Sequence, residues 1–584
     1  MPNTKIMTFI SYENLFSHIE KNGLLIPSSY LKNDENIDSL VNYFIENFDS
    51  IEGISYSSFL NAIVQSHKAE ETQKIGWNEL KHCKLVNSDN NAGIVFHRDN
   101  LLYMISQLIK KEKFGDVKIT GQKTFNSAAD YYKSLLLISS QGAFNPPESQ
   151  SEQSVLRDYF LRAYPYYYLP DIVETIFELR FQRYWYIYDD LIKKLDNGKV
   201  GKVKEGVELI AKEFNLSLKD YFHVLTGIFT WFLIAPNAKR KNPENDDLKK
   251  IGFEPKNIES YYIKKQNFGE NSDLFKLVKQ LSHSLNDFKQ KLQATRKDLI
   301  NGFYKDFQAF FDYPVFRIDD DNYCIIDLKF LFEGLCAGFM WRINEISPQN
   351  LQGIKEQYGY LLEEYFVELL KKIYGEQKIT RPTESGKPDA ILETDSHILI
   401  FEFTVEYYRF ASLYSEGTES FQQDVYRLLF NEGKHDLNSR GKKDKGKFHK
   451  LNNYLEEHKN SQKTVIPILV TENYFGDYEM LDRFNSQLSE NVVSKNLDNI
   501  KQNRPLIINL DDIEIFWRVS NSEKAADQFI DLVEKWRKLQ DKGPYHFNFS
   551  YFVSETHKQE DVKNNSKDFF SWKNFIEKLS NATT

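Results

Sequence analysis

Apolar and polar positions divide this chain into a long helical first half and a shorter part in which strands and helices alternate. From position 11 to about 300, apolar residues at three-and-four spacing or runs of strong helix formers occur at 132–138, 172–191, 207–216 and 274–299, which predicts helices there. Polar stretches at 87–91, 140–154 and 239–247 interrupt the pattern, and 139–151 combines small polar residues with two prolines, the composition of a linker. The longest apolar run, 221–236, contains Val224 to Ile234 and also His223. It falls short of the roughly 20 residues needed to span a bilayer, so it predicts a buried helix. Residues 315–327 read as a hairpin turning at Asp319, Asp320 and Asp321, and 330–343 as a helix apolar enough to pack it against the next domain.

Beyond position 350 the periodicity changes. Apolar residues at 361, 362, 365, 366, 369, 370 and 373 form one helical stripe. Two strand signals follow, 386–392 and 398–405, separated by the turn-forming cluster Glu393, Thr394, Asp395 and Ser396, and together they predict a hairpin. Side chains alternate along a strand, so Ile398, Ile400, Glu402 and Thr404 share one face while Leu399, Phe401, Phe403 and Val405 take the other. Glu402 is therefore an acid on a strand otherwise dressed for burial, a position that costs several kcal/mol unless a cation or hydrogen-bond donors meet it. A helix at 420–427 and a core strand at 465–470 complete the run.

These residues resemble the PD-(D/E)XK nuclease superfamily, whose pattern is an acid after proline at the end of one strand and acid-any-lysine on the next. Asp389 follows Pro388 and Glu402 opens the second motif, but Thr404 stands where the family has lysine. The acidic helix with Glu363, the hairpin, the 420–427 helix and the 465–470 strand arrive in the family's order, over roughly 350–519. The resemblance implies a restriction-endonuclease-like α/β domain with a central mixed sheet. It implies a Mg²⁺ or Mn²⁺ site formed by Asp389, Glu402 and the main-chain carbonyl of Phe403, with Glu363 assisting. Magnesium suits such oxygen ligands. Lys387, two residues before Asp389 and hence on its side of the strand, is the candidate replacement for the missing lysine. Its other reading is a solvated turn residue. The acids also admit another reading, in which Asp389 caps a turn and Glu402 pairs with Arg427 in a catalytically degenerate fold used for binding.

The expected organisation is a mainly helical region at 1–145, a second helical region at 146–310, a hairpin and connecting helix at 311–349, the nuclease-like domain at 350–520 and a helical extension at 521–584. A length of 584 residues exceeds what one core supports. Formal charge is −9, which confines any contact with nucleic acid to a patch. The 434–450 stretch supplies one, with seven Lys or Arg against two Asp. Its Arg440, Lys442, Lys443, Lys445 and Lys447, with Gln423 and Arg427 on the preceding helix, are the candidate contacts to a phosphate backbone, DNA before RNA. The basic stretch reads equally as a solvated loop.

Other chemistries find no support. Cys83, Cys324 and Cys336 are far apart and have neither disulfide nor zinc spacing. No Gly-x-x-x-x-Gly-Lys-Ser/Thr loop occurs, and the Asp319–Asp321 turn lacks the spaced ligands and terminal glutamate of a calcium loop. The first residues lack the apolar core of a signal peptide, so a cytoplasmic protein without a membrane segment is expected. Its partners would be nucleic acid and either a second copy or another protein. A long accessory region beside a nuclease domain resembles restriction or anti-phage effectors, by analogy alone.

Overall fold

The computed structural model describes residues 49–66, 80, 98–110, 131–132, 135, 179–237, 259, 261–292, 307–338, 342–343, 351–384, 387–405, 451, 454–455, 457–458, 461–472, 506–521, 523–540 and 549–557. The expected linker at 139–151, the 420–427 helix and the basic stretch at 434–450 lie outside them. The described residues form a mixed helical and sheet protein with two small mixed sheets.

Helix α1 (Ser50–Ser66) lies against α2 (Arg98–Lys110). α1 is rich in serine yet buried, because Ser55 and Ser57 donate back to the carbonyls of Ile51 and Gly53, so their hydroxyls keep partners away from water. A third helix, α3, covers 179–194 and contains a π-helical turn at Tyr186–Leu191. Next come α4 (Asn197–Glu213) and α5 (Leu218–Asn237). Asp196 caps α4 by accepting the Gly198 N–H at 2.6 Å. The expected apolar run falls within α5, and among the described residues no helix is long and apolar enough to cross a membrane.

The first sheet has the order β1-β4-β3-β2, with β1 Ile263–Lys264, β2 Ser282–Ser284, β3 Val315–Arg317 and β4 Asn322–Ile325. β3 and β4 are the expected acidic-turn hairpin. The Asp319 carboxylate accepts the N–H groups of Asp321 and Asn322 and the Asn322 amide, which makes it a turn former. The helix expected at 274–299 is divided. Helix α6 (Asp273–Gln280) stops, Ser282–Ser284 pairs in parallel with β3, and α7 (Leu285–Leu292) starts again. The break is a reciprocal cap. Ser284 Oγ accepts the Asp287 N–H at 3.3 Å and the Asp287 carboxylate accepts the Ser284 N–H at 2.9 Å, an arrangement that starts a helix.

Asp327 joins this sheet to the first helices. It caps helix α8 (Leu328–Phe332) through the Phe330 N–H. Its carboxylate also accepts both arms of Arg98 at 2.7 and 2.9 Å and the amides of Asn61 and Gln65. Gln65 closes the cluster by accepting the Leu328 N–H at 2.9 Å. Gln65→Met keeps the volume but removes both bonds, one of them to a charged group. Denaturant unfolding is expected to show a loss of about 1–3 kcal/mol, and an unchanged midpoint would discount the cluster.

Helix α9 (Leu351–Tyr374) buries every position of the stripe read from the sequence. It ends at Gly375, whose φ of 97° favours glycine. The second sheet has the order β5-β6-β7-β8-β9: Ile379–Thr380, Ala390–Glu393, His397–Thr404, Thr464–Thr471 and Leu506–Asn509. The first two junctions are antiparallel and the last two parallel. α9 covers the face carrying Phe401 and Phe403, where Phe366 stacks on Phe403 at 5.2 Å. Glu402 belongs to the opposite face, with Ile398, Ile400 and Leu469. Asn509 then caps α10 (Leu510–Val519) in a capping box with Asp512. Helices α11 (Ala525–Gln540) and α12 (Phe549–Thr556) pack beyond it through Phe516, Phe529, Phe549 and Trp536.

Candidate functional site

The hairpin places Asp389 around Glu402. Asp389 directly precedes β6. Its N–H donates to the Phe401 carbonyl at 3.0 Å, and its carboxylate accepts the Phe403 N–H at 2.7 Å. One acid is thus bonded to the residues on either side of the other. Asp389 is half-buried and Glu402 is 0 % exposed. The cause lies in the strand sequence, since a strand that is apolar on both faces and lies in the middle of a sheet carries whatever side chain falls at position 402 into the interior. Thr404, two residues on and on the same face, is 4 % exposed. Its hydroxyl can hold a water but carries no charge.

The other two acid-base candidates make ion pairs. Lys387 sits 2.5 Å from both oxygens of Glu457 and over the Tyr454 ring. The bond to Glu457 pushes its ammonium further up, so the side chain stays charged. It ties the entry of β6 to the 454–458 segment. Glu363 shares Arg381 with Glu364, at 2.7 and 2.6 Å respectively. The structure therefore brings Asp389, Glu402 and the Phe403 main chain together and holds Lys387 and Glu363 in separate pairs. Gln423, Arg427, Arg440, Lys442, Lys443, Lys445 and Lys447 lie outside the described residues.

Among the described residues, no group of three or more His, Cys, Asp or Glu could hold a metal ion. Two carboxylates fit magnesium nonetheless, because this ion is held by one or two of them together with waters and substrate phosphate.

A buried polar network braces the same end of the sheet and was missed by sequence reasoning. Glu472 follows β8 directly and is fully buried, and its N–H donates to the Thr404 carbonyl at 3.2 Å. Its carboxylate accepts the hydroxyls of Tyr184 from α3 at 2.5 Å and Tyr358 from α9 at 2.8 Å. Burial and the adjacent Glu472 push the Tyr184 phenol well up, so it remains a donor. Immediately before Tyr184 on α3, Arg183 bonds Asp511 and Glu514 of α10, while Arg180, one turn earlier, bonds Asp511, and Tyr365 donates to Glu514. A signal for this existed: Arg180 and Arg183 repeat the three-residue spacing of Asp511 and Glu514, so each pair presents its charges on one helical face. No protein-family model, curated protein or solved structure matches this chain.

Proposed function

We propose that this chain is a metal-dependent endonuclease of the PD-(D/E)XK kind that hydrolyses phosphodiester bonds in DNA with Mg²⁺ or Mn²⁺. The observation that carries the reading is Asp389 bonded to both neighbours of the fully buried Glu402, across an antiparallel hairpin whose second strand continues into a parallel pair. The succession of helix α9, hairpin and β8 supports it as well.

Asp389, Glu402 and the Phe403 carbonyl would hold the ion. When bound, it would supply a water activated for attack and neutralise charge on the phosphoryl oxygens. Asp389 does two things in this arrangement: one carboxylate oxygen fixes the Phe403 main chain, and the other is the oxygen available to a cation. Thr404 orients a water through its hydroxyl. Lys387 can serve as the missing cation only by exchanging Glu457 for the site. Under this reading the helical region senses a trigger or holds a partner, as in a restriction or anti-phage effector, and the protein works in the cytoplasm.

Thr404 favours a second reading, a nuclease-like fold that binds nucleic acid or scaffolds a complex without cutting. One experiment separates the two: purified protein is incubated with plasmid, linear and single-stranded DNA and with RNA, in Mg²⁺, Mn²⁺ or EDTA, beside Asp389→Ala, Glu402→Ala and Thr404→Lys. The nuclease reading expects cleavage of DNA that EDTA abolishes and that both alanine variants lose. Cleavage that survives in both variants would sink the assignment. If the wild-type protein cuts nothing and Thr404→Lys gains cleavage, the site is a metal centre lacking only its cation.

A further inference from the structure

We infer that the amino-terminal end of α4, through Lys199 and Lys202, is a contact surface for the phosphate backbone of duplex DNA entering the proposed site. The inference rests on the nuclease reading and adds a binding surface to it.

Two sets of contacts meet on the first turns of α9. On one side are the strand ends. Tyr358 bonds Glu472, the residue after β8, and a β-carbon at Gly359 would stand 3.1 Å from Val405, the residue after β7. On the other side is α4. Gln357 accepts the Lys202 N–H at 2.7 Å and donates to the Gly198 carbonyl at 3.2 Å, and the Lys202 side chain lies over Gly353 in the space a β-carbon would take. The Lys199 ammonium is 4.7 Å from the centre of the Tyr360 ring and 3.4 Å from its hydroxyl. The beginning of α4 therefore stands at the end of the sheet where β7 and β8 stop, the end marked by Thr404 and, two residues earlier, Glu402.

The charge there is suited to a polyanion. Residues 193–204 contain five lysines and one acid, Asp196, in a chain of formal charge −9. The Asp196 carboxylate caps α4 by accepting the Gly198 N–H. Lys193 is paired with Asp189, whereas among the described residues no carboxylate lies within ion-pair distance of Lys199 or Lys202, and both are exposed. Between them, Gly201 has nothing within 4 Å of where a β-carbon would sit, so a phosphate can approach the backbone closely. Tyr360 holds the Lys199 ammonium beside its ring and hydroxyl, which lowers the entropy lost when the ammonium meets a phosphate.

Each ammonium that neutralises a phosphate contributes about 0.9 to the slope of log binding constant against log salt. The test uses full-length protein and a labelled duplex in EDTA, so binding is read without cutting, over a series of salt concentrations. The variants are Lys199→Gln/Lys202→Gln, the charge-retaining Lys199→Arg/Lys202→Arg, and Lys276→Gln/Lys535→Gln, which changes net charge equally at residues paired elsewhere. The surface assignment expects the slope to fall by about 2 in the first, to be kept in the second and to change little in the third. Salt-dependent binding by the wild type with the same slope in Lys199→Gln/Lys202→Gln overturns the surface and leaves the nuclease reading standing. No binding by the wild type at any salt overturns both.

Discussion

Arg183→Met is expected to cost about 3–5 kcal/mol of folding stability, read as a lower urea midpoint at neutral pH. Arg183 is 1 % exposed and makes three bonds of 2.5–2.7 Å to Asp511 and Glu514. The methionine fills much of the stem's volume, so the loss is not mainly one of packing. It arises because two carboxylates remain in the interior with one of their cations gone, and a buried charge whose partner is removed costs far more than the intact pair contributes. Arg180 still reaches Asp511, but Glu514 is left with the Tyr365 hydroxyl. Glu514→Gln placed on Arg183→Met should therefore recover part of the loss, and independent costs in the double variant would contradict this coupling.

The same network has a pH signature. Burial alone would push the Asp511 carboxyl up, but the charges of Arg180 and Arg183 outweigh it and hold the group below its ordinary value. A carboxyl depressed in the folded state contributes stability that is complete above its unfolded pKa of about 3.9. That stability is lost as pH falls through the lower folded value. Arg183→Met weakens the depression, so the acid limb of its stability curve should be shallower and finish at higher pH than in the wild type, while its onset near the unfolded pKa is unchanged. Superimposable acid limbs would mean that the guanidinium does not hold Asp511 down.

What could be read from the sequence follows from how far apart the interacting residues are. The α9 stripe, the hairpin around Glu402 and the strand at 464–471 were legible because each is written locally, the helix as a 3.6-residue stripe and the strands as short apolar runs bounded by polar residues. The pairing of Asp389 with Glu402 was legible for the same reason, since a short turn sets the register. The division of the 274–299 helix was not seen, because apolar spacing continues on both sides of Ser282–Ser284 and only the Ser284–Asp287 cap marks the break. Least legible were the partners of charged groups. Arg183 meets Glu514 across 331 positions and Lys387 meets Glu457 across 70, and no local pattern encodes such a meeting. Lys387 therefore read as a solvated turn residue or a catalytic substitute, and Glu363 as a helper, when both were already held by ions elsewhere in the chain.

Glu402→Gln is expected to abolish metal-dependent stabilisation while leaving the fold intact. A ligand that binds only the folded state raises its stability by RT ln(1 + [L]/Kd), about 2.7 kcal/mol at a hundredfold excess over Kd. If Asp389 and Glu402 hold a divalent ion, the wild-type midpoint of thermal unfolding rises as Mg²⁺ or Mn²⁺ is added and returns with EDTA. The amide preserves the shape of a side chain that is 0 % exposed, so no cavity opens. It removes the charge that draws the cation. Adding Mg²⁺ or Mn²⁺ should therefore raise the wild-type midpoint and leave that of the variant where it stands in EDTA. A structural role for Glu402, such as pairing with a cation elsewhere in the chain, produces the reverse pattern: loss of stability in EDTA and no metal increment in either protein. A metal increment of equal size in both proteins would place the ion away from Glu402 and remove the acid pair from the mechanism.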